Sequence, residues 1–191
     1  VPKIKHTARI LYIIYFVMTV LEIIFLLAGK MPVFDAFTTS FGTAGTGGFG
    51  IMNDSMGSFS NYTQIVVTIF MIAFGINFSF YYLLILKKAW KDALKLSEVR
   101  VYIGIIIMAS LVIMFNIRGQ MGSYPNAAKH AFFQVASIIT TTGYSTVDFN
   151  QWPEFSKTIM IGLMFIGACA GSTGGGIKVS RFILLIKTMK K

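Results

Sequence analysis

The chain has 191 residues, of which 55% are hydrophobic and 13% charged, and its formal net charge is +10. This composition excludes a small soluble domain, because such a domain would expose large apolar patches. The positive charge would suggest nucleic acid as the partner of a soluble protein, but membrane topology explains it better, and no nucleic-acid partner is predicted.

Four apolar stretches have about the 17 to 25 residues that a membrane-crossing helix needs. In chain order they cover residues 10–28, 63–86, 101–117 and 158–186, and glycines interrupt the last one. The first stretch is a full span without a small-residue cleavage site, so we predict no secretory signal peptide. The sequence therefore predicts an all-α, multi-pass protein in a lipid bilayer.

Basic residues are concentrated before the first span, between the second and third, and after the fourth. They are Lys3, Lys5, Arg9, Lys87, Lys88, Lys91, Lys95, Arg100, Lys187, Lys190 and Lys191. Cytoplasmic loops carry an excess of Lys and Arg, so these three segments are predicted to face the cytoplasm. We interpret residues 87–100 as a plain positively charged loop; binding to anionic lipid or to a cytosolic subunit is the alternative.

A segment between the first two spans is repeated between the last two. Residues 36–49 and 131–144 align without a gap at an offset of 95 positions, and both end in Thr-x-Gly-aromatic. The matching end positions are Thr46 and Thr141, Gly48 and Gly143, and Phe49 and Tyr144. A proline precedes each segment by a few residues, Pro32 and Pro125, which predicts short helices over residues 32–40 and 125–139. Non-helical backbone is then expected over residues 41–50 and 140–146.

The repeated loops have the chemistry of a selectivity filter. Non-helical backbone is tolerated at membrane depth only where it is buried in protein or lines a water-filled path. A dehydrated monovalent cation needs several close oxygens, which successive backbone carbonyls can supply. Gly48 and Gly143 permit the positive φ and close approach that this requires, and the Thr46 and Thr141 hydroxyls offer a further ligand layer. Phe49 and Tyr144 are expected to wedge each loop against its own pore helix.

The alternative for a single copy is an ordinary Gly-rich loop between helices, which the duplication disfavours.

A second landmark lies in the fourth span, where Gly171-Ser-Thr-Gly-Gly-Gly-Ile-Lys178 should break a helix at about 1 kcal/mol per glycine. A phosphate-binding loop is excluded, because Ile177 stands where that motif requires lysine. Two interpretations remain: close packing of helices at small residues, or a break in the ion path that acts as a gate.

Three polar residues near or within the spans receive structural interpretations. Glu22 is an intramembrane carboxylate, which is a functional flag, but we expect it to snorkel towards the outer end of its helix. Asn77 is expected to form an interhelical hydrogen bond and not to contact ions. His130 has no Cys, Asp or His partner at ligand spacing, so no metal site is predicted there.

Residues 165–181, FIGACAGSTGGGIKVSR, resemble the signature of the Trk/Ktr/HKT superfamily of potassium transporters, most closely its bacterial TrkH type. Residues 131–144 and residues 75–80, GINFSF, agree with that resemblance, which covers essentially the whole chain. Such proteins place four helix–pore-loop–helix repeats around one pore, and this chain resembles the second and third. The first loop, with five glycines in residues 42–50, departs from the TVGYG loop of potassium channels, which argues against strict selectivity.

The resemblance implies a role for each motif residue. Gly48 and Gly143 match the filter glycines, and the implied K⁺ ligands are the backbone carbonyls of Gly47, Gly48, Thr142 and Gly143, beside Thr46, Thr141, Phe49 and Tyr144. The implied gating loop, which obstructs the closed pore, comprises Gly171, Ser172, Thr173, Gly174, Gly175, Gly176 and Lys178. The arginine that such proteins place below the filter lies in their fourth repeat, so Arg181 is not given that role.

The sequence is therefore interpreted as two repeats, residues 1–90 and 91–191, forming half of a pseudo-fourfold pore in a bacterial inner membrane. It is predicted to pass potassium, with sodium as an additional ion, and to need no organic cofactor. The resemblance implies three partners: two further pore repeats, a second pore subunit, and a cytosolic ring of nucleotide-binding regulators of the TrkA/KtrA type. The alternative is a non-conducting membrane scaffold or regulatory fragment. An intramembrane enzyme is disfavoured, because no catalytic constellation is present.

Overall fold

The computed structural model describes residues 4–86 and 88–189, and regular structure in these ranges is helical. Isolated bridges pair Met52 with Ser55 and Ile166 with Ile177. The α-helices of the described ranges are α1 (Ile4–Ala28), α2 (Val33–Ala44), α3 (Asn61–Phe74), α4 (Phe78–Tyr81), α5 (Trp90–Leu94), α6 (Ser97–Met121), α7 (Tyr124–Ile139), α8 (Glu154–Phe165) and α9 (Val179–Met189). A π-helical turn, Tyr82–Leu86, follows α4, and a 3₁₀ turn, Phe149–Gln151, precedes α8.

The two longest helices, α1 and α6, have the length and apolar composition needed to cross a bilayer. Each has 25 residues. They confirm the spans predicted at residues 10–28 and 101–117. α6 extends beyond both predicted bounds, whereas α1 begins earlier than predicted and ends at the predicted residue 28. Large apolar side chains such as Phe16 and Phe115 are exposed on them, as expected for helices that face lipid or further protein.

The second predicted span, residues 63–86, is not one continuous helix. The axes of α3 and α4 differ by 92° at a short break. At the break a Cβ on Gly75 would lie 2.9 Å from Cζ of Tyr102 and would overlap the Tyr102 hydroxyl, so the backbone approaches α6 closely. Asn77 caps α4 by accepting a hydrogen bond from Ser79 N at 2.8 Å, in place of the predicted interhelical bond. The prediction of an unbroken span is therefore wrong.

The first pore helix, α2, is longer than the predicted residues 32–40. Pro32 stands at its N-cap, as predicted, but the helix continues to Ala44. Residues 41–50 were expected to be non-helical because they are rich in glycine, which costs about 1 kcal/mol relative to alanine in a helix. Here the missing side chain makes room for Tyr144, whose Cζ would lie 3.2 Å from a Cβ on Gly42. The second pore helix, α7, agrees with its predicted bounds.

The fourth predicted span is interrupted, as predicted from its glycines. We call the non-helical stretch between α8 and α9, residues 166–178, the Gly-rich segment. Backbone bonds close its base, from Gly167 N to Ile177 O at 2.8 Å and from Val179 N to Ala168 O at 3.3 Å. The Gly-rich segment is therefore a folded loop anchored between two helices.

The helices pack as two groups that meet at α7. α1 contacts α2, α3 and α4, whereas α6 contacts α7, α8 and α9. α7 also packs against α3, so the second pore helix touches both groups. One buried core surrounds Tyr102 and Ile139, and the other surrounds Leu26 and Phe133. This packing brings the loops that follow α2 and α7 side by side.

The connection between α4 and α6 presents basic side chains to the outside. Lys88, Lys91 and Lys95 are exposed, whereas Ala93 on α5 is buried. Four further basic residues predicted to face the cytoplasm lie outside the described residues: Lys3, Lys87, Lys190 and Lys191. The cytoplasmic orientation of these segments stays a prediction.

Candidate functional site

The pore helices α2 and α7 end in the same backbone motif. In each loop two backbone N–H groups bond carbonyls of the last helical turn, and the bonds correspond at an offset of 95 positions. They run from Thr46 to Thr43 (3.2 Å), from Gly47 to Gly42 (2.8 Å), from Thr141 to Ile138 (3.0 Å) and from Thr142 to Ser137 (2.9 Å). These bonds form a Schellman motif, which satisfies carbonyls that a helix end leaves free.

Both loops also share an uncommon backbone conformation. The φ angles are +52° at Thr46 and +59° at Thr141, followed by +64° at Gly48 and +89° at Gly143. A positive φ is unusual for a β-branched residue and costs about 1 to 2 kcal/mol. Strained residues persist where the surrounding structure holds them, and they cluster at functional sites. The repeated sequence therefore folds into two loops with matching strain at matching positions.

The two loops meet at Gly48. A Cβ on Gly48 would lie 2.7 Å from the carbonyl carbon of Thr142, would overlap the Thr142 oxygen, and would lie 3.0 Å from the carbonyl carbon of Gly143. A Cβ on Gly143, in contrast, would have no heavy atom of the described residues within 4 Å. Gly48 therefore permits the contact between the loops, whereas Gly143 permits the backbone turn alone.

The aromatic residues that follow Gly48 and Gly143 have different surroundings. Tyr144 is 2% exposed, and its hydroxyl donates a hydrogen bond to the Thr39 carbonyl of α2 at 3.1 Å. Phe49 is 85% exposed. The prediction that each aromatic wedges its loop against its own pore helix is therefore wrong. Tyr144 packs against the pore helix of the other copy, because the loop after α7 runs alongside α2.

The Gly-rich segment lies directly against Thr46 and Thr141 of the predicted filter. Gly175 N donates a hydrogen bond to Thr141 Oγ1 at 2.7 Å, and Thr46 Oγ1 donates one to the Thr173 carbonyl at 3.5 Å. A Cβ on Gly174 would lie 3.0 Å from the carbonyl oxygen of Thr140. The predicted gating loop thus contacts the predicted filter residues of both loops.

The Gly-rich segment also pairs the backbone groups that the break between α3 and α4 leaves free. The bonds run from Phe78 N to Gly171 O (3.1 Å), from Cys169 N to Gly75 O (3.0 Å) and from Thr173 Oγ1 to Phe74 O (3.3 Å). Buried backbone polar groups need such partners. The break in the second span and the break in the fourth are therefore mutually dependent.

Further bonds hold the Gly-rich segment internally. Ser172 Oγ donates to the Cys169 carbonyl at 2.6 Å, and Lys178 Nζ donates to the Gly174 carbonyl. Gly171 and Gly176 have φ angles of +70° and +72°. The residues predicted to form the gate thus form one continuous, internally bonded loop.

Two carboxylates lie beside the site in positions that the sequence did not predict. Glu22 is fully buried and accepts a hydrogen bond from Ser40 Oγ of α2 at 3.2 Å, so the prediction that it snorkels is wrong. α2 covers it, because the first pore helix packs on α1. Glu98, near the start of α6, accepts hydrogen bonds from Ala170 N and Ser180 N. Its position in a basic connection gave no sequence signal for this role.

A polar cavity of about 630 Å³ lies beside the ends of the two loops. Asp54 and Asp148 are among its lining residues. Met56 N bonds the Ser145 carbonyl at 2.8 Å, which joins the stretches that leave the two loops. Negative charge in a concave surface raises the local concentration of cations. The cavity therefore carries two carboxylates beside the ends of both loops.

His130 is expected to make the thermal stability of the protein depend on pH. Its Nδ1 lies 2.9 Å from Thr146 Oγ1, and burial, assisted by the Lys129 charge, lowers the His130 pKa. As pH falls below the ordinary histidine pKa of about 6.5, the unfolded chain takes up a proton first, so stability falls with it.

The measurement is the thermal midpoint in detergent between pH 8 and 5 for the wild type and the His130→Gln variant. The wild type should lose more stability on the acid side than the variant, which cannot titrate. Equal losses in both proteins would contradict this role for His130.

The chain is similar to known proteins along its whole length. It matches the family model described as TrkH, cation transport protein, over residues 1–191. It is 37% identical to the Trk system potassium uptake protein TrkH of Salmonella typhimurium and 36% identical to that of Escherichia coli K12. Each alignment covers 97% of this chain and 39% of the relative, so the chain spans about two fifths of those proteins.

A solved structure has the same fold. The crystal structure of the potassium transporter TrkH from Vibrio parahaemolyticus matches 100% of this chain and 42% of its own, at 33% identity and a TM-score of 0.91. This similarity confirms the all-α membrane fold that the sequence predicted. The boundary predicted between two repeats, at residues 90 and 91, stays a prediction.

Proposed function

Because this chain belongs to the TrkH family of cation transport proteins, we propose that it forms half of a pore through which potassium crosses a bacterial cell membrane. The family confirms the resemblance seen in the sequence and the membrane location. The relatives are named as potassium uptake proteins, which agrees with a role in transport and not in catalysis. Potassium is proposed as the transported ion, with sodium as an additional ion.

The observation that supports a filter is the matched backbone of the two loops. Two corresponding pairs of hydrogen bonds and four positive φ angles recur at one offset. This recurrence is expected if both loops contribute equivalent carbonyl oxygens to one ion path. The carbonyls of Gly47, Gly48, Thr142 and Gly143 are the proposed K⁺ ligands.

The exposed Phe49 supports the proposal that further repeats complete the ring. Tyr144 at the equivalent position is buried because the pore helix of the neighbouring copy covers it. An aromatic side chain as exposed as Phe49 needs a similar cover, which a pore helix from a preceding repeat would provide. This chain, residues 1–90 and 91–191 as two repeats, is therefore proposed to supply two of four positions around the pore.

The Gly-rich segment is the proposed gate. It contacts Thr46 and Thr141, one residue from each loop, and an obstruction there would block an ion path that the two loops share. We also propose a dimer of pore subunits and a cytosolic ring of nucleotide-binding regulators, of the TrkA/KtrA type. The exposed Lys88, Lys91 and Lys95 offer a basic surface for such a partner or for anionic lipid.

Ion flux tests the proposal. The full-length transporter that contains this chain is expected, after purification and reconstitution, to take up rubidium or potassium into liposomes down a concentration gradient. Empty liposomes serve as the blank, and competition with external sodium measures selectivity. The alternative, a non-conducting scaffold or regulatory fragment, predicts uptake no greater than in the blank.

A further inference from the structure

Glu98 ties together the two ends of the Gly-rich segment. Its carboxylate oxygen Oε1 accepts a hydrogen bond from Ala170 N at 2.7 Å and another from Ser180 N at 3.1 Å. Ala170 lies in the first part of the segment, whereas Ser180 lies in the first turn of α9, just beyond its other end. One half-buried side chain of α6 thus holds both ends of a loop that belongs to another part of the chain.

The chemistry of these bonds favours a strong attachment of the Gly-rich segment to Glu98. Hydrogen bonds from backbone N–H groups to a carboxylate are assisted by its charge and are stronger than neutral ones. The bond to Ser180 also places the carboxylate at the N-terminus of α9, where the helix dipole favours negative charge. In the described residues, Thr141 and Thr46 bond the middle of the segment, and the break between α3 and α4 bonds its first half at Cys169, Gly171 and Thr173. Among these contacts from outside the segment, Glu98 is the one that joins its first half to the start of α9.

Glu98 is also joined to the basic connection that precedes α6. It is the second residue of α6. Arg100 Nη2, in the same helical turn, donates a hydrogen bond to the Lys95 carbonyl at 3.3 Å. A displacement of the connection would therefore move the first turn of α6, and with it the carboxylate that holds the Gly-rich segment.

We propose that Glu98 is a positioning residue of the gate. It holds the Gly-rich segment against the filter threonines, and a partner bound to the basic connection releases the segment by shifting Glu98. The consequence for ion flux rests on the proposed function. The hold of Glu98 on the segment does not, and it can be measured independently.

Cys169 provides that independent measurement. It is the single cysteine of this chain, it is fully buried, and it precedes Ala170. In the full-length transporter, with any cysteine outside this chain replaced, the rate of Cys169 labelling by a small maleimide reports how often the segment opens. Glu98→Ala should raise that rate at least about tenfold, equivalent to roughly 1.4 kcal/mol of lost bonding. Glu98→Gln, which keeps an acceptor oxygen but loses the charge, should raise it less.

Asp92→Asn is the matched control, because it removes an exposed carboxylate of the same connection, and it should leave the labelling rate unchanged. Rubidium uptake measured in parallel should rise in Glu98→Ala without a regulatory partner. An unchanged labelling rate in Glu98→Ala overturns the proposal whatever the flux; if that variant does not fold, the same result in Glu98→Gln overturns it. Faster labelling without uptake by the wild type would instead refute the proposed function and leave the hold of Glu98 in place.

Discussion

Replacing Gly48 with alanine is expected to reduce potassium uptake by the full-length transporter to the level of empty liposomes. The added Cβ would overlap the carbonyl oxygen of Thr142 and would lie 2.7 Å from its carbonyl carbon. Both neighbours are backbone atoms, so they cannot move aside as a flexible side chain could. One of the two loops must therefore shift, and the proposed ligands Gly47, Gly48 and Thr142 shift with it. Uptake of rubidium-86 measures the effect.

Gly143→Ala is the matched variant, because it introduces the same methyl group at the equivalent position of the other loop. Its Cβ meets open space among the described residues, so its expected cost is backbone strain at φ +89°, about 1 to 2 kcal/mol. It should retain measurable uptake. Thermal midpoints in detergent establish that both variants fold. Normal uptake by a folded Gly48→Ala variant would exclude Gly48 from the filter.

The sequence predicted those elements whose determinants are local. Pro125 starts α7 because its fixed φ suits the first turn of a helix, and the glycines of the fourth span interrupt it because glycine weakens helices. The end of α2 could not be predicted in this way. Gly42 remains helical because Tyr144, about a hundred residues later, occupies the space beside it.

The break in the second span also depends on distant residues and could not be predicted from the local sequence. Gly75 and Asn77 stand in an apolar stretch that is long enough to cross the membrane. The break is stable because Gly171, Cys169 and Thr173 pair the backbone groups that it leaves free. No local pattern encodes bonds between positions so far apart.

The same distinction between local sequence and distant packing applies to the candidate site. The repeat identified both loops and their glycines, since equal residues at an equal offset are visible in the sequence. The neighbours of those residues are set by packing between the copies. For this reason the sequence predicts that Tyr144 contacts its own pore helix, whereas in the structure it bonds α2, and no local pattern indicates the bonds of Glu98 to the Gly-rich segment.

Deleting residues 171–176 is expected to leave the pore open without its regulatory partner. The deletion removes the bond to Thr141 and the bond from Thr46, and with them the loop that lies against both threonines. It also removes the bonds of Gly171 and Thr173 to the break in the second span, so the thermal midpoint must show that the variant folds. If this loop is the obstruction, rubidium uptake in the absence of a cytosolic regulator should exceed that of the wild type several-fold. The wild type's ratio of potassium to sodium uptake should be unchanged, because the carbonyls of Gly48 and Gly143 are retained.

A pair of single substitutions separates removal of the loop from general damage to the fourth span. A Cβ on Gly174 would lie 2.6 Å from Cβ of Ala168 and 3.0 Å from the Thr140 carbonyl oxygen, so Gly174→Ala must displace the loop. Gly162→Ala in α8 adds the same group where, apart from its chain neighbours and the adjacent backbone of its own helix, no described heavy atom lies within 4 Å, and it should leave uptake unchanged. Gly174→Ala displaces the loop without removing it, so uptake by this variant should rise less than uptake by the deletion variant. A deletion variant that folds but conducts no ions would show that the Gly-rich segment supports the pore and does not close it.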